Sequence, residues 1–124
     1  MSRIVKDSNN EISVPREWRQ ALKNIADNLT LGLPIEEEAH VFTIPMARDA
    51  KRISLENIKS YPEEFGSLVD TTWSTSVCFW CKDYWGVIID LYNQSGEPTD
   101  LVLDARIYED GHGYRIEPYL VYVP

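Results

Sequence analysis

From Tyr84 to Val123 the side chains alternate in a way that a β-sheet satisfies and a helix does not. Trp85, Val87, Ile89 and Leu91 fall on one face of a strand. Leu101, Leu103, Ala105 and Ile107 fall on one face of the next, with Asp104 and Arg106 on the other. A third run, Tyr114 to Val123, is interrupted by Pro118, which cannot donate to a ladder and so marks a bulge or an edge. Turn chemistry separates the runs: Gly96 and Pro98 in the first connection, Glu109-Asp110-Gly111-His112-Gly113 in the second. Val77 to Lys82 reads as a further strand leading into them.

Such a sheet needs a cover for its apolar face. Trp18, Leu22, Ile25 and Leu29 recur at helical spacing behind Pro15, which suits a first helical turn, and ahead of Gly32 and Pro34, which stop it. The spacing predicts a helix over 15–31, with Arg19, Lys23 and Asp27 in solvent. Val41-Phe42-Thr43-Ile44 reads as a short strand ended by Pro45. Ser54 is placed to cap a second, shorter helix from Leu55 to Tyr61. Glu36-Glu37-Glu38 reads as a solvated loop, and residues 1–13 as a loose leading segment. The expected fold is α+β: an N-terminal amphipathic helix and a short second helix packed on one face of an antiparallel meander of about four strands. At 124 residues the chain is expected to form a single domain over 1–124.

No apolar run is long enough to span a membrane, and the first residues lack the apolar core of a signal peptide. A cytoplasmic protein with no membrane partner is expected. The net charge is −8, and from Asp83 to Glu117 eight acids face only Arg106 and Arg115. Such a chain repels phosphates, so no direct nucleic-acid partner is expected. The basic trio Arg48, Lys51 and Arg52 is offset by Glu56, Glu63 and Glu64. Solubility alone accounts for much of the acidity.

Motifs for catalysis are weak. Cys78-Phe79-Trp80-Cys81 has the C-x-x-C spacing, but its flanks read as strand and not as a helix start, where a thiol pKa would fall. Zinc would need further ligands, and only His40 and His112 are present, without finger-like spacing. Neither histidine sits beside a recognisable nucleophile. Asp90 and Asp104 on adjacent strands resemble an acid–base pair, although two solvated carboxylates are the commoner outcome. There is no P-loop, dinucleotide-binding or EF-hand pattern. No enzyme activity, cofactor, metal or catalytic residue is expected.

Aromatic residues crowd the second half, and those not needed in the core are expected on an open sheet face. Exposed tyrosines among acids suit recognition of a protein. The candidate partner-binding residues are Asp90, Asp104, Glu109, Asp110, Tyr92 and Tyr108.

Trp85-Gly86-Val87-Ile88-Ile89-Asp90-Leu91-Tyr92 followed by Gly96-Glu97-Pro98-Thr99-Asp100-Leu101-Val102-Leu103 resembles a family of small bacterial α+β domains of unknown function. They share a tryptophan-led V-x-V-D-L strand and a turn ending in Asp-Leu-x-Leu. Ile53 to Pro62 and Leu120 to Val123 follow the same pattern, while Glu97-Pro98 departs from its more basic turn. The resemblance is structural and implies no catalytic residue. As a class, small acidic single-domain proteins of this type are similar to immunity proteins of toxin systems, including contact-dependent inhibition. That similarity implies a cognate protein toxin as partner, here a basic nuclease. Two other readings stay open: a small enzyme or ligand-binding domain with a pocket in a curved sheet, resembling the nuclear transport factor 2 fold, and a structural domain that dimerises through a sheet edge. Whether the chain is a monomer or a homodimer is open.

Overall fold

The computed structural model describes residues 4–124. Two α-helices and five strands follow in the order α1 (Arg16–Leu31), β1 (Val41–Thr43), α2 (Arg48–Ser60), β2 (Val77–Trp80), β3 (Trp85–Tyr92), β4 (Pro98–Asp110) and β5 (Gly113–Tyr122), with a short 3₁₀ turn at Asp70–Ser74. The strands form one sheet in the order β1-β5-β4-β3-β2. The last four make the expected antiparallel meander. The fifth member is β1, which joins the outer side of β5 in parallel, pairing Val41 with Tyr114 and Thr43 with Ile116.

Cross-strand registers sort the side chains into two faces. Trp85 aligns with Trp80 and Ile107, and Ile107 with Ile116; Ile89 aligns with Leu103, and Leu103 with Val121. These point to the core, and α1 lies over them. Trp18, Leu22 and Ile25 are sealed from solvent, each such burial contributing about 1.5–3 kcal/mol. The Trp18 ring stands 5.3 Å from Trp85 and 5.2 Å from Tyr114, edge-on to the latter. Gly32, with φ of 72°, ends α1 by returning its N–H to the Asn28 carbonyl.

Three expectations change in the structure. Asp27 is buried, because the segment after α2 folds back on α1: its carboxylate accepts from the Leu68 amide at 2.8 Å, the Ser67 hydroxyl at 2.6 Å and Lys23 at 2.8 Å. Ser54 is no N-cap. Helix α2 begins at Arg48, two residues beyond Met46, and Ser54 sits inside it, fully buried. Helix α2 lies along the outer edge of β5, where Ser54 Oγ accepts the Val121 amide at 2.9 Å and Asn57 Nδ2 donates to the Val121 carbonyl at 2.8 Å. Beyond β2 the opposite edge is met in the same manner. Ser76 Oγ accepts the Asp90 amide, and Thr72 Oγ1 donates to the Asp90 carbonyl. Finally, of the leading segment 1–13, residues 1–3 lie outside the described residues, and the remainder is fastened to the sheet. Ile12 and Cys78 exchange both backbone bonds, and the Val5 carbonyl accepts from Trp85 Nε1.

The interruption at Pro118 is a bulge. The β4–β5 register shifts between Asp104, opposite Leu120, and Ala105, opposite Pro118. Tyr119 is the extra residue, and it is thrown outward, 45% exposed.

Candidate functional site

The face of the sheet turned away from α1 has no helix over it among the described residues. Its rows follow from the register. Val77, Ile88, Asp104 and Leu120 align across four strands; Phe79, Gly86, Arg106 and Glu117 form the next row. Asp90, Val102 and Tyr122 lie on one side of these, and Tyr108, Arg115 and Phe42 on the other.

Aromatic rings and guanidinium groups interleave here. The Arg106 guanidinium lies 4.9 Å from the Tyr84 ring and 4.4 Å from the Tyr119 ring, held between them. Arg115 stacks on Tyr108 at 4.7 Å, and Tyr108 meets Tyr84 at 5.5 Å. An arginine fixed between two rings presents a flat, ordered surface with its entropy already lost. The outward Tyr119 depends on the Pro118 bulge, so this arrangement is a direct product of one proline.

Asp104 sits at the centre, between Ile88 and Leu120. It is half-buried and has no hydrogen-bond donor among the described residues. Burial raises its pKa above the ordinary 3.8, with Arg106 opposing. Burial also raises Tyr122, and the Asp104 charge adds to that. A carboxylate kept in partly apolar surroundings without a donor is poised to accept one from outside.

The other expected residues divide. Asp90 is on this face, but its Oδ2 accepts from Thr75 Oγ1 at 2.5 Å. Glu109 and Asp110 are exposed at the β4–β5 turn, at one end of the sheet; Glu109 pairs with Lys6 at 2.5 Å, and Asp110 lies 3.9 Å from Arg115. Tyr108 is half-buried on the face. Tyr92 is a correction: it is only 5% exposed. The β3–β4 register shifts between Asp90 and Tyr92, which breaks the alternation and leaves both Leu91 and Tyr92 buried. Asp90 and Asp104 are not directly opposed, since Asp104 aligns with Ile88 and Asp90 with Val102. Sequence reasoning passed over Tyr119 and Arg106 as a unit; the signal for it was the aromatic residue next to Pro118.

The cysteines are free thiols. Cys78 faces the core, and burial followed by the neighbouring Cys81 pushes it up to about 12, far from a reactive thiolate. Among the described residues no three His, Cys, Asp or Glu side chains converge to hold a metal ion. No helix among them is long and apolar enough to cross a membrane.

A domain-family model for a domain of unknown function, DUF7668, matches residues 35–124. The chain belongs to the DUF7668 family. No curated protein and no solved structure matches it. The DUF7668 region holds all five strands and α2, hence the whole open face; α1, the cover of the opposite face, precedes it.

Proposed function

We propose that this DUF7668 domain is a protein-binding module, and specifically an immunity protein that neutralises a cognate bacterial toxin, a basic nuclease, in the cytoplasm. The observation that carries the reading is the uncovered sheet face with Arg106 held between Tyr84 and Tyr119 beside the donor-less Asp104. Rigid tyrosines and an ordered arginine are the groups that dominate protein interfaces. Asp104 would take a lysine or arginine of the toxin, with Asp90, Glu109 and Asp110 steering its approach. Tyr108 contributes a ring, while Tyr92 acts only from the core. The net charge of −8 favours a cationic protein over nucleic acid. No catalytic step by this chain is part of the reading.

The second reading, a pocket-bearing small enzyme or ligand-binding domain, draws on a cavity that includes Tyr114. Within the sheet itself Trp85 is sealed in the core and Asp104 lies on the open face, and neither lines that cavity.

The test is co-expression with a toxin domain encoded beside this gene. Growth should be restored by the parent chain and lost with Asp104→Lys/Glu109→Lys. Unchanged binding and unchanged salt dependence in that variant would refute the mechanism.

A further inference from the structure

A groove of about 1040 Å³ lies between the last turns of α1, the segment 35–46 and the β4–β5 turn. Neither Arg106 nor Asp104 lines it, and it meets the open sheet face only at Phe42. Its floor is apolar, built from Ile25 and Leu29 of α1, Val41 of β1, Ile44, Met46 and Tyr114. Its rim is acidic: Glu36, Glu37 and Glu38 on one side and Asp110 on the other, with Lys51 the one lysine or arginine among the lining residues. The carboxyl end of α1 adds to this sign. Asn28 and Leu29 line the groove, and the last turn of α1 has no basic residue to offset its partial negative charge.

The wall is already set. Asn24 Nδ2 donates to the Glu36 carbonyl at 3.2 Å, and Asn28 Nδ2 to the Leu33 carbonyl at 2.8 Å. These two amides hold the segment that carries the glutamates against α1, so little order has to be imposed on binding. Ile35, beside the glutamates, is 42% exposed and extends the apolar surface outward. The volume is at the top of the range of about 300–1,000 Å³ that encloses a small ligand, and the rim is spread along the segment and the facing turn.

We propose that this groove docks a short segment of a partner protein, with an apolar anchor on the floor and flanking lysines or arginines against Glu36, Glu37, Glu38 and Asp110. Apolar floor and acidic rim together select it: an acidic segment is repelled, and a purely polar basic one finds no anchor. The inference shares only Asp110 with the toxin reading; it uses neither Arg106 nor Asp104, and the Glu36, Glu37 and Ile35 variants that test it leave every residue of that reading in place.

The probe is a fluorescein-labelled peptide with a Leu-Phe-Leu centre between arginine pairs, and its counterpart with glutamate at every arginine. Affinity is read by anisotropy and location by amide shifts in nitrogen-labelled protein. The basic peptide should bind and shift amides in residues 25–29, 35–46 and 110–114. Glu36→Gln/Glu37→Gln, both exposed and so tolerated by the fold, should weaken binding roughly fivefold and flatten its salt dependence. Ile35→Ala, also at an exposed position, should weaken it through the apolar contact. Absence of binding, equal binding of the glutamate peptide, equal affinity in the Gln variant, or shifts confined to the Arg106–Tyr119 face would each overturn the proposal. Binding of free arginine as tight as the peptide would overturn it in favour of a small-cation site.

Discussion

Ser54 and Val121 stand 67 residues apart and meet at 2.9 Å, where a helix hydroxyl accepts the amide of a strand. The bond is buried, and both residues are sealed from solvent. Ser54→Ala would strand the Val121 N–H without a partner, which costs about 1–3 kcal/mol. The urea midpoint should fall with an unchanged slope. An unmoved midpoint would mean that water already serves that amide.

On the open face, Phe79 lies across Gly86 of the neighbouring strand. A Cβ placed on Gly86 would come within 2.6 Å of the ring. Gly86→Ala should therefore displace the ring at a cost of about 1–3 kcal/mol. Because the two residues touch, Gly86→Ala/Phe79→Ala should be less destabilised than the sum of the single variants. Additive losses in chemical denaturation would contradict the contact.

Asp104 predicts a pH dependence. Its folded pKa is raised by burial, so the folded chain holds that proton more tightly than the unfolded chain. The group's contribution to stability is full below its ordinary value of 3.8, and it is lost as pH rises through the raised folded value. Asp104→Asn should thus raise the thermal midpoint at neutral pH and leave it equal to the parent's in strong acid. A variant less stable at neutral pH would show that the carboxylate has a stabilising donor.

Tyr119 should separate binding from folding. It is 45% exposed and covers Arg106. Tyr119→Ala is expected to change stability by no more than about 0.5 kcal/mol. If the toxin seats on this face, affinity should drop by about 2 kcal/mol or more, seen as lost protection in co-expression and a weaker Kd. Full protection by this variant would remove the ring from the interface.

The meander was legible because its strands alternate and carry clear turn residues; the missing N–H of Pro118 left a bulge or an edge open, and the β4–β5 register makes it a bulge. Helix α1 was legible because its apolar stripe is unbroken from Trp18 to Leu29. What escaped reading was set by distant chain. Nothing near Val41 announces a parallel partner at Tyr114, and nothing near Ser54 announces Val121. Asp27 looked solvated because the residues that bury it, Ser67 and Leu68, lie some forty positions away. At the site, Asp90, Asp104 and Tyr108 were placed on the right face by period alone. Tyr92 was misplaced because a local register shift reverses its side. Glu36 to Glu38 looked like an ordinary acidic loop, since the apolar floor beneath them comes from three separate stretches, α1, residues 41–46 and β5.

The side-chain groups that meet Val121 and Asp90 have a further meaning for how copies of this chain behave together. A strand end with free amides and carbonyls is a template on which another chain can crystallise into cross-β order. Here Ser54 and Asn57 on one flank, and Thr72 and Ser76 on the other, occupy those groups with partners too short to propagate. A change at any of the four thus alters more than the stability of the monomer. It also frees a strand-edge group for pairing with a second copy of the chain.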